Sequence, residues 1–393
     1  MKGTWLAKKE VYFDNAATTR LDPRALEKML PYLDSRFGNP SSFHSFGRIV
    51  RVAVEEARET LADFINCAPN EIYFTSGGSE SNNFSIFGIA KTEVSESGRK
   101  TIITTKAEHH CILDPVEELG KSGFSIKLLD VNTSGRPDEN ILKANLDNDT
   151  SLISIIHANN ETGAVNDIKN LAQITHLNNS LFHSDAVQSF GKIPIDVNKL
   201  GIDSMSFSSH KIAGPKGTGA VFAKSGTPLS PLIYGGSQER NRRGGTENPA
   251  AIIGFAEAIK IVKIEMQSNY EIVKGIKDGF VKGIREIDPV GIELNTTENS
   301  LPYILSITLK HDYYNNDAES ILMYLDINGI AASNGATCTS GTLKPSHVIL
   351  SMGKPLKDAQ GTIRFSFSAQ NTLGEVEYVL EILKKMTRKF RKD

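Results

Sequence analysis

The stretch LFHSDAVQSFGKIPIDVNKLGIDSMSFSSHKIAGPKGTGAVFA, residues 181–223, decides the fold. It holds three short β-rich runs, 181–185, 204–208 and 220–223, separated by turn-like and helix-like segments. The same alternation reaches back to residue 70, with further strand candidates at 71–75, 101–105, 125–129 and 152–157. Strands alternating with helices build an α/β layer around a mostly parallel sheet. Ligand sites in such sheets lie at the carboxyl ends of the strands. The chemistry of this stretch sits there: Asp185 closes one run, and Lys211 follows another, ahead of the turn Gly214-Pro215-Lys216-Gly217.

A lysine amine attacks a carbonyl only when deprotonated, and partial burial beside another cation lowers its pKa enough for that. Lys211 is therefore a candidate to hold an aldehyde cofactor as a Schiff base. Such a cofactor needs a partner for its pyridinium nitrogen, a phosphate cup and a group stacked on its ring. Ser184-Asp185-Ala186-Val187-Gln188 offers a carboxylate for the nitrogen and an amide for the phenolic oxygen. Alone, Asp185 reads equally well as a helix cap at a strand exit. Thr75-Ser76-Gly77-Gly78-Ser79-Glu80-Ser81-Asn82 opens a helix after a strand, where backbone amides favour an anion. With Ser208 and His210 it would form the cup, although a Gly-Gly-Ser turn by itself is more often a plain loop. His109, in Ala107-Glu108-His109-His110-Cys111, is placed to lie over a flat ring and to shuttle protons. Cys111 reads as a small buried residue.

The chain has 393 residues, 39% hydrophobic and 23% charged, the range of a globular protein. One core seldom grows past roughly 250–300 residues, so two domains are expected. Ile252, Ile253, Phe255, Ile259, Val262 and Met266 recur at helical spacing and predict a long connecting helix over 249–289. A strand at 303–309, a helix at 317–328, an irregular stretch at 333–342, a strand at 362–367 and a closing helix at 373–393 then read as a smaller α+β domain. The net charge of −2 gives no reason to propose direct binding to nucleic acid or to a membrane surface. Cys67, Cys111 and Cys338 are odd in number and lack paired spacing, so no disulfide framework, zinc site or other metal is expected. The first residues lack the apolar core of a signal peptide, and no run of 18 apolar residues occurs. A cytoplasmic setting is expected. Cys338, among small residues with no large apolar neighbour, reads as exposed and reactive. Arg364, on an otherwise apolar strand, suggests bidentate capture of a carboxylate rather than a surface ion pair.

Nine motifs occur in order: Tyr12-Phe13-Asp14-Asn15-Ala16-Ala17-Thr18-Thr19, Phe37-Gly38-Asn39-Pro40-Ser41-Ser42, Phe74-Thr75-Ser76-Gly77, Glu108-His109, Asn159-Asn160-Glu161-Thr162-Gly163, Asp185-Ala186-Val187-Gln188, Ser208-Ser209-His210-Lys211, Gly244-Gly245-Thr246-Glu247-Asn248 and Cys338-Thr339-Ser340. On these the chain resembles, nearly end to end, the NifS/IscS-type cysteine desulfurases, fold-type I pyridoxal phosphate enzymes of the class V aminotransferase family. The resemblance implies a large domain over 19–262 with a mostly parallel seven-stranded sheet. It also implies a smaller α+β domain from 1–18 and 263–393, with the catalytic cysteine loop at about 333–342. It assigns Lys211 to the Schiff base, Asp185 to the pyridinium nitrogen, Gln188 to the phenolic oxygen, with Asn160 at the same edge, and His109 to the ring face. Gly78, Ser79, Ser208 and His210 would bind the phosphate, joined by Thr246 from the second subunit of a homodimer. Asn39, Asn160 and Arg364 would hold the substrate, L-cysteine, through its carboxylate. Cys338 would accept its sulfur as a persulfide, leaving alanine. The sulfur would pass to an acceptor protein, an iron–sulfur scaffold or a carrier for tRNA thiolation.

Three positions depart from the family pattern. Gly78-Ser79 stands where many members carry Ala-Thr, Thr337 replaces a common alanine before Cys338, and the 235–241 loop replaces two familiar glycines. A selenocysteine lyase or another enzyme of the class would share Lys211, Asp185 and His109 without depending on Cys338. A catalytically silent scaffold would leave the lysine idle.

Overall fold

The computed structural model describes residues 9–335 and 344–392. Cys338 and most of the 333–342 stretch therefore lie outside the described residues. Seven strands form one sheet in the order Ile72–Thr75, Gly219–Ala223, Ser204–Ser208, Leu181–Asp185, Thr150–Ser154, Thr101–Thr105, Ser125–Leu129. Only Gly219–Ala223 runs antiparallel to its neighbours. The α/β layer expected from the alternation is present.

Both faces of the sheet are covered, which is why its strands read as nearly continuous apolar runs. Successive side chains point to opposite faces. Ile103, Ile153 and Phe222 pack with Leu61, Leu171, Phe190 and Phe255 on one side. Ile102, Leu152 and Val221 pack with Phe84, Ile89, Ile112 and Val116 on the other. The fourth run starts two residues earlier than its apolar stretch suggests, because Thr150 pairs with Thr101. Regular pairing stops at Ser154, yet Ile155 N–H and His157 N–H still donate to His183 O and Asp185 O at 3.2 and 2.9 Å.

The long helix spans Pro249–Ile287; Asn248 caps its start by accepting from Ala251 N–H. Its first half buries Ile252, Phe255, Ile259 and Val262 in the core beside the sheet. Its second half buries Val273, Ile276, Phe280 and Ile284 in a separate core with Phe13, Leu305, Ile307, Phe365 and Leu383. That second core rests on a three-stranded antiparallel sheet of Thr362–Ser366, Ile304–Leu309 and Ile292–Leu294 and on the helix Leu373–Phe390. Phe13 packs its ring against Phe367 and Phe280, at 5.0 and 5.9 Å between centroids. The amino-terminal segment is thereby pinned to the second core just before it reaches Lys211.

The loop that departs from the family pattern contains three consecutive non-glycine residues at positive φ: Glu239 (44°), Arg240 (55°) and Asn241 (63°). This conformation carries a steric cost for L-residues. It is held by the Glu239 carboxylate, which accepts from both Arg58 Nη atoms and from Phe74 N–H, each at 2.8 Å. Both partners are buried, so Glu239→Ala leaves the Arg58 guanidinium in the interior with only the half-exposed Glu55 carboxylate, at 3.2 Å, as a charged partner. Removing one partner of a buried pair typically costs about 3–5 kcal/mol. The urea midpoint of Glu239→Ala is expected to fall accordingly, whereas Lys199→Ala, whose exposed ion pair with Asp196 is worth little, leaves it within error.

Candidate active site

The strands ending in Asp185 and Ser208 are parallel neighbours, with Asp185 opposite Ser206. Their carboxyl ends therefore open on the same edge of the sheet. Lys211 follows in the short 3-10 turn Ser209–Lys211, and the helix Gly78–Glu96 begins at the same place with Gly77 as its cap. Between them lies a cavity of about 400 Å³. Gly78, Ser79, His109, Asn160, Asp185, Gln188, Ser208, His210, Lys211 and Arg364 all line it.

The Lys211 amine donates to the carbonyl oxygens of Ala16 and Ala17, the latter at 2.7 Å. Burial and the Arg364 guanidinium lower its pKa to about 8, against the opposing pull of Asp14 and Asp185. Asp185 acts as the cap that its place at the strand exit allows, and it also lines the cavity. Its Oδ1 caps a turn by accepting from Val187 N–H at 2.8 Å, while Oδ2 accepts from Asn82 Nδ2 at 2.8 Å. His109 caps the helix His110–Lys121 through Nδ1, and burial lowers its pKa. His210 is also lowered, to about 4, by burial and then by Lys211, Lys216 and Lys192. Its Nδ1 lies 3.1 Å from Thr18 Oγ1.

Gln188 donates through Nε2 to Ala16 O at 2.9 Å and accepts at Oε1 from Lys192 Nζ at 3.0 Å. Arg364 is buried, unlike a surface ion pair: it donates to Asn160 O at 2.9 Å and meets Asp14 at 3.0 Å. Its Nε and the Asn160 Oδ1 have no partner among the described residues. Gly78 fits this chain because an added Cβ would come within 2.7 Å of Val187 Cγ2. The space an alanine would use is already filled.

Two predicted residues do not line the cavity. Asn39 is exposed, with Oδ1 accepting from Ser41 N–H at 2.9 Å, and Thr246 is exposed on the segment leading into the long helix. Sequence reasoning missed Asn82, Cys111 and Lys192. Asn82 falls four residues after Gly78 on one helix, so it shares the face turned toward the sheet; that spacing was the available signal. Lys192 likewise falls four residues after Gln188. Burial, then the charges of Lys211 and Arg364, lower its pKa to about 7. Cys111 appeared only as a small buried residue, yet its sulfur lines the cavity.

The sequence model of the family described as Aminotransferase class-V matches residues 11–379. With a lysine, an aspartate and a histidine gathered at one sheet edge, the chain belongs to this pyridoxal phosphate-dependent family. Within it, the chain groups with the IscS/NifS-type cysteine desulfurases. Cysteine desulfurase IscS of Dictyoglomus turgidum is 44% identical over 385 residues, 98% of this chain and 96% of the relative. A solved structure titled NifS-like protein superposes with a TM-score of 0.90 at 36% identity, covering 97% of this chain and all of the other. A solved structure of SspA in complex with cysteine has a TM-score of 0.81 at 32% identity, covering 92% of this chain and all of the other.

The unprotonated amine is the reactive form, so capture of pyridoxal phosphate should accelerate as pH rises through about 8, where the Lys211 amine titrates. An ordinary lysine would show the rise near ~10.4. Arg364→Gln removes a nearby cation, which moves the midpoint upward and slows capture at pH 7.5 by about three- to tenfold, equivalent to half to one pKa unit. Stopped-flow absorbance across pH reads both effects.

Proposed function

We propose that this chain is a cysteine desulfurase that uses pyridoxal phosphate to take sulfur from L-cysteine, releasing L-alanine and holding the sulfur as a persulfide on Cys338. The observation that carries the reading is the half-buried Lys211 amine, its pKa lowered to about 8, in one cavity with Asp185, His109 and Arg364. The cavity fits the cofactor chemically: Ser208 Oγ and Asn160 Oδ1 are buried without a partner among the described residues, and the helix starting at Gly78 turns its amino terminus to the same space. Lys211 would hold the cofactor's aldehyde carbon, Asp185 its ring nitrogen, Gln188 and Asn160 its oxygen edge, and His109 its ring face. Gly78, Ser79, Ser208 and His210 would take the phosphate. When bound, pyridoxal phosphate supplies an electron sink for the carbon skeleton of an amino acid.

The chain's own residues do the rest. Arg364, its guanidinium fixed by Asn160 O and Asp14 and its Nε–H without a partner among the described residues, binds the substrate carboxylate. Lys211, its pKa lowered to about 8, gives up its proton more readily than an ordinary lysine, so once free it accepts the substrate α-proton and returns it. His109, kept neutral by burial, lies across the ring without adding a second cation. The Cys338 thiolate attacks the substrate sulfur: an S–S bond forms and the Cβ–S bond breaks. The electron pair stays with carbon, which takes a proton to become the methyl group of alanine. Sulfur is oxidised to the persulfide level as that carbon is reduced, so no outside oxidant is needed.

The site is completed by a second copy of the chain in a homodimer, which brings Thr246 to the phosphate. Two features support this: Thr246 is exposed and outside its own cavity, and Leu33, Phe37, Phe43, Phe46, Ile49 and Val52 expose apolar surface together. We place the large domain at 19–262 and the small one at 1–18 and 263–393, a division supported by the two cores that share the long helix. The persulfide passes to an acceptor protein, an iron–sulfur scaffold or a carrier for tRNA thiolation. An odd number of cysteines without paired spacing supports a reducing, cytoplasmic setting, and no described helix is long and apolar enough to cross a membrane.

Given pyridoxal phosphate and L-cysteine, the protein should form alanine and a Cys338 persulfide in equal amounts, read by amino-acid analysis and mass spectrometry. Cys338→Ala should still bind the cofactor but lose on the order of 100-fold or more in alanine formation, as expected for a missing nucleophile. Undiminished turnover in that variant would sink the assignment.

A further inference from the structure

Cys111 lines the cavity, but the mechanism above gives it no task. Its backbone N–H donates to His109 Nδ1 at 3.1 Å, and its sulfur lies 2.9 Å from the same nitrogen. On the other side the sulfur accepts from Asn82 Nδ2 at 2.9 Å and is within donating distance of Asp185 Oδ2 at 3.6 Å. Burial, then the Asp185 carboxylate, push the thiol pKa well up, so the sulfur keeps its proton. A protonated thiol is a donor, and the nearer acceptor is His109 Nδ1. Asp185 Oδ2 is farther and already takes the Asn82 amide. Backbone and thiol thus converge on the one lone pair of Nδ1. The ring's single hydrogen must then sit on Nε2.

We propose that Cys111 is a positioning residue that holds His109 as a neutral, Nε2-protonated imidazole. A doubly protonated ring would point its Nδ1–H at two other donors. The remaining groups that act on His109 are Asp185, which favours its charged form, and Lys211, His110 and His347, which oppose it. All four stay in place when only the thiol is changed. The inference deepens the proposed function and takes its catalytic meaning from it, since a neutral ring can lie on a cationic cofactor ring without repulsion.

The test uses the full chain with ¹⁵N-labelled histidine, both without cofactor and loaded with pyridoxal phosphate, the His109 signals being assigned by their loss in His109→Gln. At neutral pH the wild type should show Nδ1 unprotonated and Nε2 protonated. Cys111→Val fills similar volume without a donor, and should raise the His109 pKa by about half to one unit, the equivalent of one net hydrogen bond. Cys111→Ser keeps a donor and should titrate with the wild type. A proton on Nδ1 in the wild type, which needs no variant to observe, would overturn the proposal. So would a valine variant that titrates unchanged, or a serine variant that shifts as far as valine. The cofactor-free spectra can fail this test while alanine and persulfide still form, and can pass it in a protein that forms neither.

Discussion

An ammonium group taken out of water beside another cation surrenders its proton more readily, and the site is organised around putting Lys211 in that position. The sheet supplies the burial, the small core supplies Arg364, and the amino-terminal segment supplies the carbonyls of Ala16 and Ala17 that hold the amine. These parts come from opposite ends of the chain and meet because Phe13 is locked into the second core while Ala16 N–H donates to Ser366 Oγ at 2.8 Å. The motif from Tyr12 to Thr19 therefore works as a clasp between the Arg364 strand and the Lys211 turn.

Much of this was legible in the sequence. Parallel strands buried on both faces are apolar in their middles and polar at their ends, so Asp185 and Lys211 stood out at run boundaries. The glycine pair before Ser79 marked a helix start. Strand ends were less legible where an apolar run outlasts its pairing, as at Ile155 and Ile156. The exposure of Cys338 remains a sequence expectation, since that residue lies outside those described.

What the sequence could not reveal were the contacts that depend on how helices rotate against the sheet. Asn82, Cys111 and Lys192 each touch a residue the motifs had already identified: Asp185, His109 and Gln188. Closeness in sequence puts Lys192 and Cys111 beside Gln188 and His109, but no spacing rule assigns Asn82 to Asp185. The Glu239 pair with Arg58 is of the same kind, joining residues 181 positions apart to hold a backbone conformation invisible in composition.

Two lysines near this site have lowered pKa values, the half-buried Lys211 at about 8 and the buried Lys192 at about 7. Titration alone would favour Lys192 as the carbonyl-reactive amine. Geometry favours Lys211, because Lys211 lines the cavity with His109 and Asp185 whereas Lys192 stands behind Gln188. Incubating the full chain with pyridoxal phosphate, reducing with borohydride and mapping the adduct by peptide mass spectrometry distinguishes them. The account predicts the reduced adduct on Lys211; an adduct on Lys192, or on neither, would contradict it.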